Sequence, residues 1–137
     1  MVTLVKSEVR VPINSGADIL TARLQGRQLA SDAGFNNSDL TVIATAISEV
    51  ARNIVQYARK GEIILGVVLD GNKRGLRVEA RDDGPGIPNI ELAMQDGYST
   101  GGGLGLGLPG TRRLMDELQV DSKVGRGTTV VATKWIR

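Results

Sequence analysis

A glycine-rich stretch in the second half of the chain constrains the fold more than any other part of the sequence. Nine of the 18 glycines lie between Gly84 and Gly110, together with Pro85, Pro88 and Pro109. Glycine and proline at this density disfavour a long regular helix or strand, so the character of the chain must change here. Leucines alternate with glycines from Gly103 onward, and this regularity argues against a flexible linker.

The same glycines predict a site for phosphate. Closely spaced glycines expose backbone N–H groups, and the helix that follows them offers its positive N-terminus. Two other glycine-loop motifs do not fit. A Walker A loop ends in Gly-Lys-Ser/Thr, whereas this loop ends in Gly107-Leu108-Pro109, and a dinucleotide-binding loop follows the first strand of a β-α-β unit. Here the glycines follow a hairpin and an acidic turn.

Hydrophobic periodicity predicts the regular elements around this stretch. It predicts a strand from Val5 to Ile13 and a first helix from Asp18 to a C-cap at Gly34. The strongest pattern is a second helix from an N-cap at Ser38 to near Lys60-Gly61. The other expected elements are strands over 62–69, 75–80, 119–124 and 128–135 and a helix over 109–118. We therefore expect an α/β two-layer sandwich, with a mixed, mainly antiparallel sheet covered by helices on one face.

Composition limits the chemistry that the chain can perform. The 137 residues include no Cys and no His, which excludes disulfides, thiolate zinc sites and nucleophiles activated by His. The absence of His also excludes autophosphorylation on that residue. A bound metal would be a hard cation with oxygen ligands, and Mg²⁺ is the leading choice.

Charge and hydropathy limit the partners. The 17 Lys and Arg nearly balance 15 Asp and Glu, and aromatic residues make up 3%. Without a basic stripe or stacking aromatics, no nucleic-acid partner is expected. No run of about 18 apolar residues predicts a membrane span, and the N-terminus lacks a signal-peptide pattern. We expect a single domain over residues 1–137, located in the cytoplasm, with no membrane partner.

Glu49 and Asn53 are the first candidate functional residues. They are four positions apart on the second predicted helix, so they project from one helical face. Asn53 could offer an amide oxygen to Mg²⁺, and Glu49 could act as a base or orient a water. The alternative is a solvated helix face on which Glu49 pairs with Arg52.

Two further candidates follow predicted strands. In Asp82-Asp-Gly84-Pro-Gly86, the glycines let the backbone turn sharply and approach a ligand, and Asp82 can accept a hydrogen bond from an adenine amino group. An ordinary turn explains the same residues. Thr128, after Gly127, could bond a nearby carboxylate or a bridging water, although a Gly-Thr pair is common.

The order of these motifs is more specific than any one of them. Glu-x-x-x-Asn on a helix, Asp-x-Gly-x-Gly after a strand, Gly-x-Gly-x-Gly before a helix and then Gly-Thr resemble the Bergerat ATP-binding fold. Gyrase-type topoisomerases, heat-shock chaperone ATPases, histidine kinases and mismatch-repair ATPases (the GHKL superfamily) share this fold. The chain also resembles the small serine kinases that switch bacterial sigma factors, through the stretches 46–54, 83–88, 96–100, 102–110 and 134–137.

The resemblance implies a role for each residue at the adenine end of an ATP site. Asp82 would accept the adenine amino group. Gly84 and Gly86 would shape the adenine pocket, and Thr128 would support it.

At the phosphate end, the resemblance implies that Asn53 binds Mg²⁺ and that Glu49 helps to deprotonate the incoming serine hydroxyl. The lid over the β- and γ-phosphates would include Gly103, Gly105 and Gly107. Some related anti-sigma kinases have an Arg in this lid, but residues 96–109 contain no Arg or Lys. The transition-state charge would then be carried by Mg²⁺, backbone amides and the helix terminus, or a partner would supply a cation.

The implied activity is phosphorylation of protein serine or threonine with ATP and Mg²⁺. The implied substrates are STAS-domain scaffold and antagonist proteins of a stressosome, and the released kinase would activate a PP2C-type phosphatase. Two alternatives stay open. One is an anti-sigma factor kinase that sequesters a sigma subunit, and the other is a nucleotide-gated binding module without significant catalysis.

Overall fold

The computed structural model describes residues 2–4, 8–87, 94 and 107–137. Within these residues six strands form one sheet. The strands are β1 (Val2–Leu4), β2 (Val9–Ile13), β3 (Gly61–Asp70), β4 (Lys73–Asp82), β5 (Glu117–Lys123) and β6 (Gly127–Trp135). Both β1 and β2 pair with β3, and the sheet continues in the order β3, β4, β6, β5. Each of these pairings is antiparallel.

The described helices are α1 (Gly16–Ala33), α2 (Asn37–Asn53) and α3 (Gly107–Leu114), with a π-helical segment, Ile54–Ala58, directly after α2. None of the helices in the described part of the chain combines the length and apolar character that a membrane crossing requires. The helices and the sheet give the α/β two-layer sandwich that the sequence predicts.

The core lies between the helices and one face of the sheet. Alternate residues of each strand share a face, and the core side of β3 carries Ile63, Leu65 and Val67. The matching positions of β4 and β6 are also apolar and buried, as are the inner residues of α2 (Leu76, Val78, Ala80, Val130, Ala132, Ile43, Ile47, Val50). Since burial of one such aliphatic side chain contributes roughly 1.5–3 kcal/mol, this face fixes the register of the strands.

Helix α1 packs closely because its inner face is made of small residues. Ala22, Gly26 and Ala30 are buried, whereas Leu20 and Leu24 are exposed on the outer face. A Cβ atom added to Gly26 would lie 2.1 Å from Cδ1 of Ile47 in α2. The glycine therefore leaves room for the buried Ile47 side chain between α1 and α2.

The starts of helices α1 and α2 differ from the sequence-based expectation, because side-chain hydrogen bonds to backbone N–H groups decide where each helix begins. Helix α2 begins two residues earlier than an N-cap at Ser38 implies, because the side chain of Asn36 accepts the N–H of Asp39 at 2.9 Å. Helix α1 begins at Gly16, and the Asp18 carboxylate accepts the N–H groups of Asn14 and Ser15. The C-cap at Gly34 is confirmed by its φ of 111°.

The ends of α2 and α3 also differ from the expectation. Regular α-helix ends at Asn53, and the chain continues through the π-helical segment to Arg59, whose φ is 72°. Helix α3 covers 107–114 instead of 109–118, because the backbone from Glu117 onward pairs with β6. Of the expected first strand, the part from Val9 to Ile13 is present, and residues 5–7 lie outside the described residues.

Gly26→Ala tests the close approach of α1 and α2. Alanine improves helix propensity by about 1 kcal/mol, but overpacking against the fully buried Ile47 costs typically 1–3 kcal/mol. We expect the variant to be less stable than the wild type, measured as the unfolding free energy in urea. Gly16→Ala is the control, since no atom lies within 4 Å of its added Cβ. Equal stability of the two variants would contradict the packing argument.

Candidate functional site

The carboxyl end of β4 and the strands beside it bring three polar side chains together. Asp82 is the cross-strand partner of Thr128 in β6, and Thr128 is the partner of Ser122 in β5. Each residue is two positions from a residue that packs in the core, so alternation places all three on the side of the sheet that faces the helices. The result is a row of one carboxylate and two hydroxyl groups at the edge of the core.

Backbone N–H groups hold the Asp82 carboxylate in place. Gly84 donates to its Oδ1 at 2.9 Å, and the backbone of Thr128 also donates to it. Burial raises the pKa of Asp82; the two backbone hydrogen bonds oppose this, and the nearby charge of Asp83 adds to it, with a net pKa above the ordinary value. The carboxylate is thus a partly desolvated hydrogen-bond acceptor.

Glycines allow two loops to touch at this point. Gly127 has a φ of 100°, and an added Cβ would lie 2.1 Å from the carbonyl oxygen of Asp82. Gly86 has a φ of 79°, and its added Cβ would lie 2.4 Å from the carbonyl oxygen of Lys123. The N–H of Gly125 donates to the carbonyl of Pro85 at 2.9 Å. The loop after β4 therefore lies directly against the turn between β5 and β6.

The π-helical segment connects this cluster to α2. A Cβ added to Gly84 would lie 2.6 Å from Cβ of Ala58, the last residue of that segment. Asn53, the last residue of α2, precedes Ala58 by five positions, which corresponds to roughly 7 Å along a helix axis. The end of α2 therefore lies beside the loop that follows Asp82.

Glu49 is buried in α2, with 6% of its surface exposed. Its Oε1 accepts a hydrogen bond from Nη1 of Arg52 at 2.6 Å. Glu49 and Arg52 therefore form the pair that the alternative interpretation predicts. Glu49 is buried, however, so the prediction that it lies on a solvated helix face is wrong. A buried carboxylate is costly unless it is paired, so Arg52 compensates the burial of Glu49.

The structure brings some of the predicted site residues together and leaves others undescribed. Asp82, Gly84, Gly86 and Thr128 form the cluster at the strand ends, and Glu49 and Asn53 lie on the adjoining helix. Gly107 begins α3, whose next residues, from Leu108 to Thr111, are buried. Gly103 and Gly105 lie outside the described residues.

Sequence reasoning missed Ser122 and Ala58. Ser122 hydrogen-bonds Thr128 and the loop after β4, and Ala58 is the residue on which Gly84 packs. Strand alternation could have identified Ser122, since it falls on the core side of β5, two positions after Val120. No sequence signal identifies Ala58, because its contact depends on the π-helical segment.

The site residues fit a nucleotide better than a metal ion alone. The described residues include no group of three or more acidic side chains that could hold a metal ion, so Mg²⁺ would need phosphate oxygens besides the amide oxygen of Asn53. The close approaches at Gly84 and Gly86 are to Ala58 and to the backbone of Lys123, so these glycines fix the path of the loop after Asp82. An open cleft of about 470 Å³ adjoins Asp82 and is lined by the ends of β2, β3 and β4 and by Ala58. Of the predicted site residues that the structure describes, Asp82 alone lines it, so this cleft does not outline the nucleotide site.

Known proteins are similar to this chain in sequence and in fold. A family model described as histidine kinase-, DNA gyrase B- and HSP90-like ATPase matches residues 38–136. The serine/threonine-protein kinase RsbT of Bacillus subtilis (strain 168) is 53% identical over 120 residues, covering 88% of this chain and 90% of that protein. The anti-sigma F factor of Thermoanaerobacter sp. (strain X514) is 38% identical over 104 residues, covering 72% and 71%.

Two solved structures are similar at lower identity. The RsbU and RsbW domains of Rv1364c from Mycobacterium tuberculosis give a TM-score of 0.65 at 22% identity, over 94% of this chain and 32% of that chain. The mycobacterial sensor histidine kinase MprB gives a TM-score of 0.55 at 18% identity, over 97% and 99%. These two similarities establish the fold alone, and they confirm the predicted sandwich.

Gly127→Ala tests the contact between the two loops. The added Cβ would meet the backbone of Asp82, which cannot move without breaking the β4–β6 ladder. We expect a loss of unfolding free energy at least about 2 kcal/mol larger than for Gly125→Ala. Gly125 is the matched control, because its φ of 80° is also positive but its added Cβ meets no atom within 4 Å. Left-handed strain alone costs roughly 1–2 kcal/mol, so equal losses in urea unfolding would contradict the contact.

Asp82→Asn separates the charge of this side chain from its shape. The folded protein binds the Asp82 proton more tightly than the unfolded chain does, because the pKa is raised from 3.8. The unfolding free energy therefore falls as the pH rises from 3.8 through the raised pKa. Relative to the uncharged Asn variant, the wild type should lose stability over this window, measured by urea unfolding at a series of pH values. A relative gain of stability by the wild type would contradict this.

Proposed function

Because the chain belongs to the family of histidine kinase-, DNA gyrase B- and HSP90-like ATPases, we propose that it is a serine/threonine-protein kinase that uses ATP with Mg²⁺. The similarity to RsbT supports this activity. The observation that carries the proposal is the burial of Glu49, one turn before the end of α2, whose end lies beside the Asp82 cluster. A module that only binds nucleotide needs Asp82 and Asn53 but no buried base.

In the proposed site the adenine amino group donates to Asp82. Gly84 and Gly86 shape the adenine pocket by letting the loop after β4 pack against Ala58 and Lys123, and Thr128 supports the carboxylate through its backbone N–H. Asn53 offers its amide oxygen to Mg²⁺, which neutralises charge on the phosphate oxygens when bound. Gly103, Gly105 and Gly107 belong to the lid over the β- and γ-phosphates in this proposal.

Phosphotransfer then needs one proton acceptor. The substrate hydroxyl oxygen bonds to the γ-phosphorus while the bond from that phosphorus to the β,γ-bridging oxygen breaks, which yields ADP and a phosphorylated side chain. Glu49 accepts the hydroxyl proton on Oε2, since its Oε1 is held by Arg52. Residues 96–109 supply no Arg or Lys, so the proposal includes a partner that provides a cation and a modest rate without it.

The substrates in this proposal are STAS-domain scaffold and antagonist proteins of a stressosome. After phosphorylating them the kinase is released and activates a PP2C-type phosphatase, all within the cytoplasm. The sequence resemblance to sigma-switching kinases supports these assignments.

Glu49→Gln and Asp82→Asn together test the kinase. Glu49→Gln should bind Mg²⁺-ATP nearly as the wild type does, yet transfer phosphate to a STAS-domain protein at least about 100-fold more slowly, because only the base is lost. Asp82→Asn should lose both ATP binding and transfer. Binding is measured by calorimetry and transfer by radiolabelled ATP, with Asp121→Asn, which changes an exposed carboxylate of β5, as the control.

The same variants distinguish a kinase from a nucleotide-gated binding module. If Glu49→Gln transfers phosphate at the wild-type rate, Glu49 is not the base. If neither the wild type nor Glu49→Gln transfers phosphate, while both bind ATP and a partner protein, the chain acts as a nucleotide-gated binding module instead.

An anti-sigma factor kinase is the second candidate, and the 38% identity to an anti-sigma F factor favours it. That function requires stable binding of a sigma subunit in addition to phosphorylation. We expect the immobilised chain to retain a STAS-domain protein in the absence of ATP, and to retain no sigma subunit with or without Mg²⁺-ATP. Retention of the sigma subunit would support the second candidate.

A further inference from the structure

An exposed surface borders the Asp82 cluster, and its exposed side chains have no role in the proposed reaction. Three segments form this surface. They are residues 57–60, where the π-helical segment ends, residues 83–85 in the loop after β4, and residues 123–126, where β5 turns into β6. Because all three segments lie beside Asp82, this surface is here named the adenine-end rim.

Two contacts hold the segments of the adenine-end rim together. A Cβ atom added to Gly84 would lie 2.6 Å from Cβ of Ala58, so the first two segments touch. The N–H of Gly125 donates to the carbonyl oxygen of Pro85 at 2.9 Å, which joins the second segment to the third. A partner that covered one segment would therefore lie close to the other two.

Each segment of the rim carries an exposed apolar or aromatic residue. Val124 is 69% exposed and Tyr57 is 43% exposed, and Pro85 is exposed as well. Single exposed apolar residues are normal, whereas apolar residues that are grouped on one surface mark sites of protein contact. Here the three residues lie on segments that touch one another, so they form such a group.

The charged residues of the rim are mainly basic. Arg59, Lys60, Lys123 and Arg126 are exposed, and Asp83 is the one acidic residue of the three segments. None of the four cations forms an ion pair with another residue in the part of the chain that the structure describes. Such cations attract an acidic surface.

The mixture of charge and apolar surface indicates what kind of partner fits. Cations alone would suit a nucleic acid or a protein, but aliphatic side chains such as Val124 and Pro85 gain little from phosphate groups. A protein can contact both kinds of residue, and Tyr and Arg are enriched at protein interfaces. The rim therefore fits a protein surface that carries acidic and apolar groups.

The position of the rim indicates that this partner is not the phosphate acceptor. Glu49 precedes Tyr57 by eight positions, which corresponds to roughly 12 Å along a helix axis. In the proposed reaction the acceptor hydroxyl has to approach the γ-phosphate beside Glu49. A protein held on the rim at the adenine end would leave that approach open.

We propose that the adenine-end rim is the docking surface for a protein partner that presents acidic and apolar groups and receives no phosphate. This inference rests on the proposed function, in which the PP2C-type phosphatase is the partner that the kinase binds without phosphorylating it.

The test measures the affinity of rim variants for the regulatory domain of that phosphatase by calorimetry. Arg126→Glu and Lys60→Glu reverse the charge of two different segments, and Val124→Ser removes apolar surface from the rim. Each variant should bind the domain at least about tenfold more weakly, because it places a like charge or a polar group against the partner. Binding to the wild type should also weaken as the salt concentration rises.

Lys73→Glu and Leu24→Ser are the matched controls. Lys73 is nine positions from Asp82 at the opposite end of β4, which corresponds to roughly 30 Å along a strand. Leu24 is 57% exposed on α1. Both controls should bind the regulatory domain as the wild type does. All five variants should keep the wild-type affinity for Mg²⁺-ATP and the wild-type rate of transfer to a STAS-domain protein, and thermal unfolding of each is measured alongside.

Several results would overturn the inference. Rim variants that bind the regulatory domain like the wild type would do so, as would equal losses in the controls. A parallel loss of transfer to the STAS-domain protein would place the phosphate acceptor on the rim instead. Displacement of the domain by an equimolar single-stranded oligonucleotide would show that the surface recognises anions in general. If one rim variant does not fold, the other two decide the test. Failure of the wild type to bind the regulatory domain would instead contradict the partner assigned in the proposed function.

Discussion

The close approach of two backbone segments is the constraint on which the rest of the site depends. The turn after β5 meets the loop after β4 where Gly127 lies against the carbonyl of Asp82 and Gly86 lies against the carbonyl of Lys123. A side chain at Gly127 would separate β4 from β6 at the strand ends, and a side chain at Gly86 would push the loop after β4 away from the end of β5. The Thr128 backbone would then no longer reach Asp82, and Ser122 would no longer reach Ile87.

The residues of this site are held at a cost to stability. Burial raises the pKa of Asp82, so its ionised form is less favourable in the folded protein than in the unfolded chain. Glu49 is buried and depends on Arg52 for compensation. Arg59 adopts a φ of 72° at the end of a π-helical segment, a type of segment that is often found at functional sites. Such features persist where function requires them and the surrounding packing enforces them.

Much of the fold follows from the sequence pattern. The apolar run of β3, the alternation of apolar residues in β4 and β5, and the apolar stripe of α2 predict the elements and the sandwich that they form. Boundaries were less predictable, because local bonds decide them. Asn36 and Ser38 are both good N-cap residues, and only the bond from Asp39 selects Asn36. The end of α2 was missed because no residue pattern signals a π-helical segment.

The functional site was also predictable only in part. The sequence alone determined which residue types are available and in which order they occur. Asp82, Gly84, Gly86 and Thr128 could be identified because they belong to short motifs whose backbone geometry is local. The tertiary structure decided what surrounds them: that Glu49 is buried against Arg52, that Ala58 packs on Gly84, and that Ser122 bonds Thr128. These contacts join residues whose positions depend on sheet order and on the path of the chain after Asn53. Sequence spacing determines neither, because packing between distant segments sets both.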